Sequence, residues 1–427
     1  MLLRDRTLPG LLAPLLVSIS LMADRASAEQ PAPQYLIFQI FIGTAEPASG
    51  VYHSGMSKPE IQAIARHIAD TLRPERNNPN RILGFAIGPI AMDQGEDDAR
   101  RVIRDAFDVA LETDMAVALH LDDYMFWAQA SGTDGRQLRA AQDTAEWTDW
   151  SGTPAGGLDI GWLPNVRLAP QLCYESPQVM DFVGHWTRDV IGQEIKQQFD
   201  RLVEAGKGQL FAGIIAGWES NLSDSYCSFS YLGYSAEKPP DDFDHERERV
   251  LQRHIERWAK GIFDSGIPRQ LIFTHLAPLP RRDYEKISAM LPRERIRKMP
   301  QSTAFGAYWT AFNNYSNPGF SAYVDEGRFE DIYEAIGAHA STASPARWAM
   351  AEGTNVVLAP GGPAQSPLDW ETYLARSFNH GAAIVNLFGG FQGPRLDPFR
   401  RATDSQEALS AYRKFLQGDS LVEQTKP

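Results

Sequence analysis

Short apolar runs alternate with amphipathic stretches along most of this chain, and that alternation predicts its elements. The runs Gln34–Phe41, Ile82–Ile90, Met115–Leu121, Leu210–Ala216, Gln270–Thr274, Gly319–Val324, Arg347–Ala351 and Ala382–Phe388 have the length and flanks of buried parallel strands. Between them, apolar residues recur at helical spacing: Ile61, Ile64, Ala65, Ile68 and Leu72, then Val102, Ile103, Ala106, Phe107, Ala110 and Leu111. Further helices are predicted over Gln178–Glu204, around Leu251, Ile255, Trp258 and Ile262, around Phe329, Ile332, Tyr333 and Ile336, and over Gln406–Leu416. Eight strands, most followed by a helix, are the rhythm of an α/β protein, a (β/α)8 TIM barrel. An open doubly wound sheet fits less well, because no G-x-G-x-x-G turn follows the first strand.

Periodicity vanishes from Trp127 to about Ser176 and again from Asn221 to Asp242. Long irregular stretches inside a compact domain are usually functional, so long loops are expected on the C-terminal face of the barrel. The first stretch holds Trp147, Trp150 and Trp162 among others and reads as an active-site wall.

The N-terminus departs from this pattern. Arg4 and Arg6 precede an apolar core from Leu8 to Met22, and Ala26-Ser27-Ala28 is a small-x-small cleavage site. Pro9, Gly10 and Pro14 interrupt the core, which is short for a membrane span. Residues 1–28 are therefore expected to be a cleaved signal peptide, and 29–427 a single catalytic domain that is secreted or periplasmic, with no membrane attachment after cleavage.

The chain has 427 residues, 43% hydrophobic, enough for one large core. A net charge of −13 argues against nucleic acid as a partner. Ten Trp and fourteen Tyr supply flat apolar faces that suit sugar rings as well as cores. The only cysteines, Cys173 and Cys227, fall in predicted loops; an oxidising compartment would let them pair, but spacing does not decide whether they do. A homo-oligomer is compatible with the sequence.

In a barrel the C-terminal strand ends meet on one face and form the site. Those ends carry Gln39 or Phe41, Pro89, His120 with Asp122 and Asp123, Trp218 with Glu219, His275, Tyr323 with Asp325, Glu352, and Asn386 with Phe388. Two of them, Glu219 and Glu352, end strands four and seven on opposite sides of the mouth. Glycosidic cleavage needs one carboxyl at the leaving oxygen and one at the anomeric carbon. The nine histidines include no H-x-H pair, so neither a metal nor any other cofactor is expected. No G-x-S-x-G elbow and no P-loop is present.

Glutamates on strands four and seven of an eight-stranded barrel resemble the clan A glycoside hydrolases, and the order of features is similar to their β-galactosidase-like members. The resemblance implies a retaining enzyme with Glu219 as acid/base and Glu352 as nucleophile, acting on an oligosaccharide or glycoside. Trp218 stands where most of the clan has Asn, and Phe388 where a Trp often closes strand eight. Exo action on a β-glycoside is the expectation, with His120, Asp122, Asp123, Trp218, Asn221, His275, Tyr308, Trp309, Tyr323 and Phe388 as substrate-binding candidates. A non-catalytic sugar-binding barrel and a metal-dependent hydrolase are the alternatives.

Overall fold

The computed structural model describes residues 32–45, 52–54, 56–92, 95–122, 144–155, 172–217, 225–277, 307–323, 326–339, 347–355, 367–388 and 405–423. The chain divides into Met1–Ala32 and Pro33–Pro427, and every element below belongs to the second unit.

Eight parallel strands form the barrel: β1 Gln34–Phe41, β2 Arg81–Ala91, β3 Ala116–Asp122, β4 Phe211–Ala216, β5 Ile272–Thr274, β6 Gly319–Tyr323, β7 Trp348–Thr354 and β8 Ala382–Leu387. Their order is β5-β4-β3-β2-β1-β8-β7-β6. The ring closes between β5 and β6 through the bridges Phe273↔Asn317 and Leu276↔Phe320. Backbone hydrogen bonds from Thr274 N to Asn317 O (3.0 Å) and from Ser321 N to Leu276 O (2.8 Å) complete this seam. A small antiparallel ribbon, Gly43–Ala45 with Tyr52–Ser54, stands after β1.

Side chains alternate along each strand, so each apolar run feeds two cores. On β1, Leu36, Phe38 and Ile40 join the large cluster shared with the helices, while Tyr35 and Ile37 join a smaller one with Ala86, Ala116, Ala118, Ala212, Phe273, Ala349, Ala383 and Ile384. The second cluster is the barrel lumen. Its many alanines leave room for Phe273, Tyr35 and the two isoleucines. Gly84 belongs to the same economy, since a Cβ there would lie 2.5 Å from Ala116 O and 2.6 Å from Ile37 Cδ1.

The helices wrap this ring with their apolar faces inward. In α1, Lys58–Leu72, the residues Ile61, Ala65, Ile68, Ala69 and Leu72 are buried, and Glu60 caps the first turn by accepting from Ser57 N at 2.8 Å. α2, Glu96–Thr113, opens on Glu96, Asp97 and Asp98, which suit the positive end of a helix dipole. The single long helix expected over Gln178–Glu204 is three segments: α3 Pro177–Gly184, a π-helical stretch His185–Gly192, and α4 Gln193–Glu204. α5, Tyr226–Tyr231, is a short helix inside the stretch expected to be irregular, so Cys227 is helical and not in a loop. α6, Phe243–Asp264, starts at Asp242, whose carboxylate accepts from His245 N at 3.0 Å. α7 Glu326–His339, α8 Trp370–Phe378 and α9 Gln406–Gln417 complete the layer. Gly261 of α6 lets that helix lie directly on the π-helical stretch, because a Cβ there would meet Thr187 Oγ1 at 1.8 Å.

Candidate active site

Inward parity on β1 runs Tyr35, Ile37, Gln39, and on β3 it runs Ala116, Ala118, His120. The lumen therefore changes from apolar to polar near the C-terminal ends of its strands. There Gln39, His120, His275 and Glu352 come from the four odd-numbered strands, the arrangement by which a barrel stacks one layer of four side chains. All four are buried, His120 completely and Glu352 to within 2%. Burying four polar side chains is costly unless each is partnered.

Their partners form a continuous chain. Asn386, from β8, donates through Nδ2 to Gln39 Oε1 at 2.9 Å and to Ala351 O at 2.8 Å. Gln39 Oε1 lies 3.2 Å from His120 Nδ1. His120 Nε2 lies 3.0 Å from His275 Nδ1, and His275 Nε2 lies 2.8 Å from Ser321 Oγ on β6. A carbonyl oxygen only accepts, so Gln39 assigns the His120 proton to Nδ1. Burial, then the charge of His275, holds the His120 pKa well below the ordinary histidine value; a hydrogen bond with the Gly217 backbone opposes them. A neutral His120 then presents Nε2 as acceptor, and His275 Nδ1 donates to it.

Gly88 makes this packing possible. A Cβ at that position would lie 2.7 Å from both His120 Cβ and His120 O, and 3.0 Å from Gln39 Nε2.

Glu352 reaches the layer by a different device. Trp348 and Met350 belong to the outer cluster and Ala349 to the lumen, so strict alternation would send Glu352 outward. Between Met350 and Glu352, however, β7 advances two residues while β6 advances one, from Phe320 to Ser321. Against β8, Met350 to Gly353 is matched by Val385 to Leu387, so the extra residue belongs to β7. This β-bulge inverts the parity and brings Glu352 Oε2 to 4.0 Å from His275 Nε2.

Asp122 is buried as the last residue of β3. Phe388 follows β8 and meets Phe41 of β1 edge to face, ring centroids 4.8 Å apart. Tyr323 is the last residue of β6, paired with Thr354. Tyr308 and Trp309 engage the helical layer instead. The Tyr308 ring packs on Phe320 at 5.7 Å, and its hydroxyl donates to Asp331 of α7 at 3.4 Å. Trp309 donates to Glu248 of α6 at 2.8 Å and lies against His245. Asp123, Trp218, Glu219 and Asn221 lie outside the described residues. Gln39 and Asn386 stood among the strand ends in the sequence; Ser321 did not, although its two-residue spacing from Tyr323 at the strand end was a usable signal.

His120, His275 and Glu352 each offer a donor atom, all within 4.8 Å of one another. A cation there would have to displace the 3.0 Å hydrogen bond between the two rings. A second set of donors, Glu146, Cys173 and Cys227, lies away from the lumen. Its sulfurs are joined in a disulfide, Cα–Cα 5.7 Å, which removes them as thiolate ligands. Glu146 there accepts from Ser228 N at 3.0 Å and Ser228 Oγ at 2.7 Å, capping the start of α5 from outside.

No protein-family model and no curated protein sequence matches the chain. Solved structures do. A GH5-4 broad specificity endoglucanase from an uncultured bacterium is 10% identical with a TM-score of 0.41, over 84% of this chain and 85% of that one. The catalytic domain of a β-amylase from Paenibacillus polymyxa is 9% identical with a TM-score of 0.48, over 90% and 98%. An old yellow enzyme homologue from Zymomonas mobilis is 11% identical with a TM-score of 0.40, over 91% and 96%. At this level of similarity the chemistry has to be argued from the residues of the chain itself.

Proposed function

We propose that this chain is a glycoside hydrolase and that Glu352 is one carboxylate of its reaction centre. The observation that carries this reading is the β7 bulge, which turns a glutamate out of the apolar helix-facing layer and into a polar layer at the barrel mouth. A buried carboxyl is costly, and a strand bent to put one there is better explained by chemistry than by packing. In the finer reading Glu352 is the nucleophile of a retaining, exo-acting, β-galactosidase-like enzyme, and Glu219, which follows β4 in sequence, is the acid/base. Glu219 would protonate the departing oxygen and later activate water. Trp218, Asn221, Asp122, Asp123, Tyr323 and Phe388 are its proposed substrate contacts.

The test is a panel of aryl β-glycosides with wild type, Glu352→Gln and Glu219→Gln. Glu352→Gln is expected to lose at least about 10³-fold in kcat with an unchanged circular dichroism spectrum. Near wild-type turnover by that variant on every cleaved glycoside would overturn the assignment. The second reading, a metal-dependent hydrolase, is favoured by the three convergent donors; stoichiometric metal in the purified protein and loss of activity on chelation would select it.

The proposal extends to location. Residues 1–28 read as an export leader, and the Cys173–Cys227 disulfide supports an oxidising destination. The exported protein is expected to begin near Glu29 and to contain no titratable thiol; an intact N-terminus on exported protein would refute the leader.

A further inference from the structure

Across from the β7 bulge stands one residue, Asn386. Val385 pairs with Met350 and Leu387 with Gly353, so Asn386 alone faces the two residues Ala351 and Glu352. Its amide nitrogen donates to Ala351 O at 2.8 Å and to Gln39 Oε1 at 2.9 Å. We propose that Asn386 is a positioning residue of Glu352, acting through the Ala351 carbonyl by holding the extra residue of β7 in place. This role rests on the reading of Glu352 as a reacting carboxylate.

The peptide joining Ala351 to Glu352 is the point of leverage. An extra residue stands outside the regular ladder of its strand, and Ala351 and Asn386 are both fully buried. A backbone carbonyl in such a place needs a donor from the protein. It can only accept, so Nδ2 of Asn386 is the atom turned towards it. The second hydrogen of the same amide goes to Gln39 Oε1, and the side chain is fixed by two acceptors on two strands, β7 and β1. Asn386 Oδ1 has no hydrogen-bond partner among the described residues, so the amide is held there by its two hydrogens. The Ala351 carbonyl and the Glu352 Cα belong to one planar peptide unit. Holding that carbonyl therefore fixes the plane from which the Glu352 side chain departs.

The strand is gripped independently on either side of this peptide. A Cβ at Gly353 would lie 2.2 Å from Met350 Sδ and 2.6 Å from the Tyr373 hydroxyl, both outside the lumen. Met350 and Gly353, three residues apart, thus share the helix-facing side, which the extra residue between them allows. Tyr373 of α8 donates to Ala322 O on β6 at 3.1 Å and lies 3.2 Å from Met350 Sδ. Beyond Glu352, Gly353 O accepts from Phe388 N at 2.9 Å. Between these points the peptide before Glu352 is held by Asn386.

Asn386→Leu nearly keeps the shape of the side chain and removes its donors. Misplacing a reacting group by about 1 Å costs up to about 100-fold. The variant is expected to lose about 10- to 100-fold in kcat with KM changed less than about threefold. Asn386→Ala opens room for a water that can donate to both Ala351 O and Gln39 Oε1, so it is expected to lose less than Asn386→Leu. If packing were the role of Asn386, that order would reverse. Tyr373→Phe takes a buried hydrogen bond from the same two strands without touching Ala351; it is expected to lower the thermal midpoint and leave kcat within about twofold. Crystal structures of wild type and Asn386→Leu give a readout independent of turnover: the Glu352 carboxyl is expected to shift by about 1 Å or more while β7 and β8 still pair at Gly353. A loss confined to KM, the reversed order of Leu and Ala, or an equal loss of kcat in Tyr373→Phe would overturn the proposal. If Glu352 shifts in the variant and the wild type cleaves no glycoside, the glycosidase reading fails while the hold of Asn386 on the bulge stands. If glycosides are cleaved and Asn386→Leu leaves both Glu352 and kcat unchanged, the positioning role fails and the glycosidase reading stands.

Discussion

Glu146 shows how a single residue can carry a pH dependence that no motif announces. It is fully buried, and its carboxyl is pushed up to about 8 by burial, against hydrogen bonds from Ser228 and from the Cys227 and Trp147 backbones. An unfolded glutamate titrates near about 4.3, so the fold binds this proton more tightly. That contribution is complete below about 4.3 and is lost as pH rises through about 8. His120 works in the other direction: its folded pKa is depressed, so its contribution is present above about 6.5 and is lost as pH falls. Between about 6.5 and 8 the Glu146 slope should therefore act without the His120 one. The thermal midpoint is expected to fall across that range, and Glu146→Gln to flatten the fall; an unchanged slope in that variant would dismiss the residue as the cause. Nothing in the sequence around Glu146 signals this role, because its side-chain partner Ser228 lies on a helix 82 residues away. By contrast, His120, His275 and Glu352 were legible at strand ends. Tyr308 and Trp309 were equally conspicuous as aromatics, but they serve the outer helices, a distinction that composition does not carry.

The elements were legible wherever period alone defines them. All eight strands lie on runs that the apolar pattern marks, and the helices after β1 and β2 follow their expected faces. What the pattern missed are departures from period. The π-helical His185–Gly192 stretch hides inside a run that reads as ordinary helix, since one widened turn barely shifts an apolar face. The β7 bulge is more consequential, because one extra residue reverses everything beyond it. Counting from Ala349 would place Ala351 in the lumen and Glu352 outside. Deleting Ala351 removes the extra residue, so simple alternation from Ala349 then carries Glu352 into the place that Ala351 would have taken, facing the layer. The deletion variant is therefore expected to keep the circular dichroism spectrum of a barrel and to retain turnover that Glu352→Gln lacks. Loss as complete as that of Glu352→Gln in a folded deletion variant would show that the extra residue does more than invert the parity of the strand.

At the scale of the molecule, the barrel itself followed from strand count and the helical stretches between strands, and its closure from β5 pairing with β6. The polar layer was legible only in part, for the reason that it is assembled from six strands and its connectivity exists only once the ring has closed. Asn386 and Gln39 are 347 residues apart in sequence and hydrogen-bonded in space. Long-range pairing of this kind leaves no local trace.

The alanine-rich lumen has a consequence for how such a chain can drift. Ala86, Ala116, Ala118, Ala212, Ala349 and Ala383 share a closed volume with Tyr35, Ile37, Phe273 and Ile384, and all ten are buried. A closed volume permits exchange but not growth: a larger residue at one alanine has to be answered by a smaller one across the ring, or the surplus is driven upward into Gln39 and His120. The outer layer faces helices that can shift to accommodate a methyl group; the lumen faces only itself. Substitutions inside the barrel should therefore be accepted in compensating pairs, so that the floor beneath the polar layer changes in composition while its height is kept.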